Sequence, residues 1–331
     1  MTDPSAARAA GNGGLPPKGA ARDPGAGSRT AGLALAALTV CVWGVTFVST
    51  KALLADFSAL EILVLRYLVA WAALWAIHPR RMGALRLRDE ALFAAAGLAG
   101  ATAYQMLENL AIHFTNASNV SILVATAPLF AAGCSRLFLG ERALSRRFLA
   151  GCALALVGVA LVALGGVRGL RFRPSGDALA LGSALSWGVY SALVTVVNRG
   201  GWHPVAAIRR TFFWALAFMV PLVAFALLAP DAAAGVSCSF DLAPGAAAAR
   251  LAKAANLGNL AFLGLLASAV CFVSWNAACE RLGTVRCSLG LYLVPVIAFL
   301  VAHVFLGETL PVSGAAGALL VLAGVAVAGR R

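Results

Sequence analysis

Among the ionisable side chains inside or at the ends of strongly apolar stretches of this sequence, five stand out: Lys51, Arg66, Glu108, Arg210 and Glu280. A charge placed at the centre of a bilayer costs about 2.5–3.5 kcal/mol on the insertion scale, so such residues face a cavity, a partner or the interface. Two kinds of chemistry are open to them. Mixed signs can pair, and a pair can form and break. A carboxyl such as Glu108, held in an apolar cavity, can also take up and release a proton near neutral pH; beside Arg66 or Lys51 it stays ionised instead. The competing reading for Arg66 and Arg210 is anchoring, with the long side chain snorkelling to backbone or headgroups.

Around these charges lie polar and aromatic residues at helical spacing. Trp43 and Thr46 are three apart, as are Trp187 and Tyr190, and each pair shares a helix face. Tyr104, Gln105 and Asn109 sit together, Trp275 and Asn276 are adjacent, and Tyr292 precedes Pro295. Rings with a polar tip suit an amphipathic small molecule, although lipid packing is the alternative for any one of them. Pro128 and Pro295 predict kinks, as hinges or as static bends. Glu141 and Glu308 follow apolar runs, where an acid opposes the helix dipole. The sequence therefore predicts a structural clasp, with Arg136, Arg142 and Arg146 as partners for Glu141.

Enzyme chemistry finds little support. The four histidines are scattered over separate segments, and the seven cysteines include no CxxC pair. No metal site, cofactor or catalytic residue is predicted. No GxxxxGK[ST] loop is present, which argues against direct use of ATP.

The elements that must position these residues follow from composition. Hydrophobic residues make up 61% and charged residues 12% of the 331. A soluble domain is nearer half apolar and a quarter charged. Ten apolar segments appear, at roughly 32–54, 59–78, 90–112, 117–138, 147–167, 177–198, 205–229, 257–279, 285–306 and 311–329. Each is near the ~20 residues that span a bilayer as a helix. Ten-residue alternating strands are absent, so the fold class is an all-α polytopic membrane protein with ten transmembrane helices. Residues 1–30 read as a disordered tail, and 230–256 as an extended connection.

The net charge of +13 comes from 26 Lys and Arg against 13 Asp and Glu. Most of these bases sit in short connections, so they read as topology signals and not as a nucleic-acid surface. With the N-terminus in the cytoplasm, sixteen of the 26 fall inside and five outside, the five being Arg168, Arg171, Arg173, Arg250 and Lys253. That bias predicts both termini in the cytoplasm of a plasma-membrane protein. Lys51, Arg66 and Glu108 then share the outer half, and Arg209, Arg210 and Glu280 the inner half.

An internal repeat is present. Pro128 with Phe138-Leu139-Gly140-Glu141 recurs as Pro295 with Phe305-Leu306-Gly307-Glu308 at an offset of 167, which Asn109 and Asn276 keep. Trp43-Gly44 recurs as Trp187-Gly188, and Arg66 as Arg210, at an offset of 144. The difference is a 23-residue insertion near 230–256. Gly151 and Gly158, mirrored by Gly317 and Gly324, predict small-residue faces for close helix contact. Five spans per repeat, over 31–168 and 172–331, predict two inverted five-helix repeats with a site near the midplane.

On these residues the chain resembles the EamA-domain exporters of the drug/metabolite transporter superfamily. The resemblance covers about residues 32–329. It implies two inverted five-helix repeats around a central cavity, and movement of amino acids, other metabolites or toxic compounds, often outward. The expected function is a secondary active exporter of small metabolites working by alternating access, with amino acids or related compounds leading. Arg66 and Lys51 would meet a carboxylate and the aromatics a side chain. Lys51, Arg66 and Glu108 would form the outer gate; Arg210 and Glu280 the inner one. Lipophilic drug efflux is the alternative, and an integral membrane enzyme a distant one. The expected partners are a small-molecule substrate, the lipid bilayer and protons as candidate coupling ion, with no nucleic acid; a monomer and a homodimer both fit.

Overall fold

The computed structural model describes residues 26–115, 117–141, 144–164, 173–236, 238–241, 243–306 and 312–329. Glu308, Arg142 and most of the 1–30 tail lie outside the described residues. The helices are α1 (Ala26–Leu53), α2 (Ala59–Ile77), α3 (Leu87–Gly97), α4 (Tyr104–Phe114), α5 (Ala117–Val124), α6 (Ala127–Leu139), α7 (Arg146–Leu164) and α8 (Pro174–Arg199). They continue with α9 (Pro204–Leu228), α10 (Pro230–Gly235), α11 (Pro244–Ala252), α12 (Ala254–Ala261), α13 (Cys271–Leu282), α14 (Thr284–Leu289), α15 (Leu293–Leu306) and α16 (Val312–Gly329). Among the described residues there is no strand.

Among the described residues, eight helical stretches are long and apolar enough to cross a membrane. The chain is a multi-pass membrane protein. Two expected spans stand outside that eight. The one at 90–112 is the stretch from α3 to α4, which carries Asp89, Glu90 and Glu108 and is correspondingly less apolar. The one at 285–306 is divided into α14, the 3₁₀ turn Gly290–Tyr292 and α15. The 230–256 connection is not plain loop, since it holds α10 and α11.

Pro128 and Pro295 act alike. The span around 117–138 breaks between α5 and α6, and Pro128 takes the first turn of α6. Pro295 takes the first turn of α15. A first-turn proline loses nothing by lacking an N–H, because that donor has no intrahelical acceptor. Thr126 donates its hydroxyl to the Leu123 carbonyl at the break, satisfying an acceptor there.

Two π-helical turns occupy matched places. Leu98–Ala103 joins α3 to α4, and Phe262–Val270 joins α12 to α13. Shifted by the 167-residue offset, the first falls within the second. The first is braced by Ser186, which donates to the Ala99 carbonyl at 2.9 Å. Gly100 there lies flat against Tyr190, where an added Cβ would come within 2.6 Å of the ring.

Helix contacts in lipid depend on small residues, because tails are as apolar as the side chains they would displace. The glycines obey this in a reciprocal pattern. A Cβ at Gly158 would lie 2.6 Å from the Gly317 carbonyl oxygen, and one at Gly317 equally close to that of Gly158. Gly151 and Gly324 repeat the arrangement, also at 2.6 Å. These four residues close α7 onto α16. Gly44 of α1 abuts Ile297 of α15, and its mate Gly188 of α8 abuts Phe130 of α6. Phe130 and Ile297 are themselves 167 apart. Each Trp-Gly helix therefore meets the second half of the other repeat's proline-broken span.

The buried residues form two main clusters. The larger gathers α1–α4, α8, α9 and α13; the smaller gathers α6, α7 and α14–α16. Glu141 leaves the helix after Gly140, whose φ of 69° turns the chain out of α6. It pairs with Arg199 of α8 at 3.2 Å, and not with Arg136. Both side chains are substantially exposed, at 38% and 57%. Such pairs contribute about 0–1 kcal/mol. Glu141→Gln is therefore expected to leave the thermal midpoint of purified protein within a few degrees of wild type.

Candidate functional site

The repeat-matched tryptophans meet. Trp43 of α1 and Trp187 of α8 stand edge to face with ring centroids 5.5 Å apart, and Trp275 of α13 lies 5.2 Å from Trp43 and 6.2 Å from Trp187. Tyr104 and Tyr190 extend the cluster, at 5.0 and 5.2 Å from Trp187. Phe272 joins it to Tyr67 and Phe212. Offset and edge-on geometries of this kind hold aromatic clusters together beyond area burial alone. The helices bring these rings together because the Gly44 and Gly188 contacts set α1 and α8 close to the opposite repeat.

Polar atoms within the cluster are unevenly served. The Trp43 indole N–H donates to the Ala267 carbonyl at 3.0 Å. Asn276 donates to the Tyr190 hydroxyl at 3.2 Å and to the Phe272 carbonyl at 2.8 Å, while its own carbonyl accepts from Asn198 at 3.1 Å. Among the described residues, the Trp187 and Trp275 indole N–H groups and the Tyr67 hydroxyl have no hydrogen-bond partner. All three side chains are nearly or wholly inaccessible. A buried donor left unpaired costs about 1–3 kcal/mol, so three in one cluster call for a reason.

Arg66 lies beside this cluster. It is buried, and its Nε donates to the Ser268 hydroxyl at 3.0 Å. Ser268 belongs to the second π turn, and Gly264 of that turn packs on α2 near the Arg66 carbonyl. The buried charge is thus held between the two repeats. Glu108 follows Tyr104 by one turn on α4 and is close enough to act electrostatically on Arg66. No ion pair within 4 Å joins Arg66 to an acid among the described residues. Gln105 and Asn109 are half-buried on α4, and the Thr46 hydroxyl bonds back to the Trp43 carbonyl.

Other candidates stand elsewhere. Lys51 is exposed and forms no ion pair among the described residues. Tyr292 is buried in the smaller core with Phe148 and Val321, apart from the tryptophans. Arg210 holds Glu90 of α3, not Glu280, and the Trp214 indole donates to the same carboxylate at 2.9 Å. Glu280 and Asn276 line a cavity of about 160 Å³ with Asn198, Trp202 and Ile208. A wider cleft of about 400 Å³ opens beside Trp71, Trp75, Arg81 and Arg210. The Glu90 partnership escapes sequence reasoning, because nothing in the spacing marks which acid a distant helix presents. No group of three or more metal-ligating side chains occurs among the described residues.

Comparison with known proteins places this geometry. The EamA-like transporter family matches twice, over residues 30–164 and 174–330. A protein of Streptantibioticus cattleyicolor named "Probable terminal-alkyne amino-acid exporter" is 34% identical over 297 residues, covering 89% of this chain and 92% of its own. A Salmonella typhimurium protein named "Probable amino-acid metabolite efflux pump" is 28% identical over 294 residues, covering 88% and 92%. A solved crystal structure superposes with a TM-score of 0.68 at 18% identity, over 90% of this chain and 96% of the other, a likeness of fold. With nearly its whole length matched in two consecutive copies, this chain belongs to the EamA-like transporter family.

Proposed function

We propose that the chain is a secondary active exporter of amino acids or closely related metabolites in the plasma membrane, both termini facing the cytoplasm. It works by alternating access between two inverted five-helix repeats. One observation carries the reading: the unpaired N–H groups of Trp187 and Trp275 and the Tyr67 hydroxyl, gathered in one aromatic cluster beside buried Arg66. Three donors and a cation suit a carboxylate, and the rings suit an apolar or unsaturated side chain. A purely lipophilic cargo would leave those donors unserved.

Further support comes from the relatives' names and from the connections. Asp56 contacts Lys253, Glu141 contacts Arg199, and Arg173 contacts the Phe114 carbonyl. In each case the two connections lie on the same side when the chain crosses ten times. The reciprocal glycine contacts favour two repeats of one design.

The test is export itself. Cells preloaded with a panel of amino acids and analogues are expected to release one class into the medium when the protein is produced, measured by mass spectrometry. Trp275→Phe, which keeps a ring but loses the N–H, is expected to reduce that release several-fold. Release of none of the panel, with efflux of a lipophilic dye instead, would overturn the amino-acid reading. Glu108 is the candidate proton carrier. Wild-type export is expected to vary with external pH, and Glu108→Gln to flatten that profile; a profile unchanged in the variant removes Glu108 from coupling.

A further inference from the structure

The 23-residue insertion is docked on the other repeat through a dense polar network. Arg250 places Nη1 3.1 Å from both carboxylate oxygens of Glu61 on α2, and donates to the Asp56 carbonyl at 3.1 Å. Its guanidinium stands 4.9 Å from the Phe57 ring centroid. Lys253 pairs with the Asp56 carboxylate at 2.7 Å, and Asn256 donates to the other oxygen at 2.8 Å. The Asp241 N–H donates to Glu61 at 3.0 Å, and the Ser58 hydroxyl donates to the Ser239 carbonyl. Five residues of the insertion and its flank thus grip the α1–α2 turn and the capped start of α2.

The grip is made almost wholly of charges. Glu61 is the shared acid, 7% exposed, and it also closes the capping box with Ser58. The hydrogen bonds from Lys253 and Asn256 hold the Asp56 carboxyl below its ordinary range. Arg250 acts on Asp56 in the same direction. Contacts of this kind weaken with salt and break when one charge is lost.

The opposite end of the bundle has a counterpart built from other chemistry. There the connection after α2 docks on the start of α9. His78 and His203 stack with centroids 4.0 Å apart, and Arg209 donates to the His78 and Arg80 carbonyls. In both places the connection after a repeat's second long helix reaches across to the other repeat's first turn. The first contact is fastened by carboxylates and the second by stacking and carbonyls, with the Arg210–Glu90 pair joining α9 to α3 beside it.

We propose that the insertion is a strap that closes the outer face, and that its ionic release is a step in opening that face to deliver cargo. The proposal rests on the transporter reading above and on both termini being cytoplasmic. It adds a gate that lies outside the central site.

Cys238 is a native reporter. It is 6% exposed, and Ser239 and Asp241 beside it are pinned to Ser58 and Glu61. Labelling of Cys238 by a membrane-impermeant maleimide, added outside intact cells, is expected to be slow in wild type. Loss of a hydrogen-bonded charge partner typically shifts such an opening by a factor of about ten or more. Arg250→Ala and Asp56→Lys are each expected to speed labelling about that much, while Cys238→Ser abolishes it. Lys253→Asp added to Asp56→Lys is expected to restore protection, which a generally unfolded variant would not do. Labelling from the cytoplasmic side alone, or equal rates in all variants, would overturn the strap.

A second measurement tests gating. In a Cys238→Ser background, a short bifunctional thiosulfonate joining Asp56→Cys to Lys253→Cys is expected to block export, and reduction to restore it. Unchanged export in the cross-linked protein would overturn the gating role. The labelling needs no cargo, so an error in cargo class leaves it untouched and fails separately.

Discussion

Arg66→Ala is expected to stop export while leaving a folded protein in the membrane. Arg66 is a buried cation beside the aromatic cluster, 5.7 Å from the Tyr67 ring and fixed by a 3.0 Å bond from Nε to Ser268 across the repeat boundary. A hydrogen bond to a charged group contributes about 1.5–3 kcal/mol, and each 1.4 kcal/mol is tenfold in an equilibrium. Loss of a carboxylate contact and of the Ser268 link together should therefore lower export by about ten- to a hundredfold. Arg66→Lys keeps the charge and loses the planar fork, so it should fall between alanine and wild type. Ser268→Ala leaves the charge in place and should be the mildest of the three. Export rates at matched membrane abundance, with thermal melts of the purified variants, separate the effect from misfolding. Export in Arg66→Ala at the wild-type rate would reduce Arg66 to an anchor.

The second large effect is on folding. Gly158→Ala should destabilise the protein, and Gly133→Ala should not. At Gly158 the added Cβ would lie 2.6 Å from both the Gly317 carbonyl oxygen and the Val321 nitrogen. Both are backbone atoms, so relief requires α7 and α16 to separate. Overpacking of this kind costs about 1–3 kcal/mol. At Gly133 on α6 nothing lies within 4 Å of the added atom. There the ordinary gain of up to about 1 kcal/mol for alanine over glycine in a helix applies. The same chemical change should thus move the thermal midpoint in opposite directions at two sites. A fall at both would show that close packing of α7 on α16 does not decide the difference.

Much of the geometry of the candidate site was legible because the repeat marks it twice. Trp43 and Trp187 share an offset with Gly44 and Gly188, and the structure brings the rings to 5.5 Å. Gly151, Gly158, Gly317 and Gly324 were legible for the same reason, and they face one another. What escaped was choice of partner. Arg210 takes Glu90, Glu141 takes Arg199, and Lys51 joins neither Arg66 nor Glu108 in an ion pair among the described residues. Periodicity says which face of a helix is polar. It does not say how far neighbouring helices rotate, and a partner over a hundred residues away depends on that rotation. Tyr292 illustrates the same limit. Its place before Pro295 suggested the cavity, yet the 3₁₀ turn carries it into the smaller core. The insertion was invisible as a docked element because α10 and α11 are too short to leave a strong pattern.

The paired π turns have a consequence for how this chain can change length. A π turn holds one residue more than the α-helix it interrupts, and each residue of an α-helix turns the chain by about 100°. Deleting one residue from Leu98–Ala103 would restore α geometry and leave Glu108 and Asn109 on the face they now occupy. Deleting one from Phe262–Val270 would likewise leave Trp275 and Asn276 in place. The offset of 167 holds from Gly97 and Gly264 through to Asn109 and Asn276. Both copies therefore carry the same slack. A single lost residue should therefore be tolerated within either turn and not in the regular helix on either side, where it would rotate everything beyond it by about 100°.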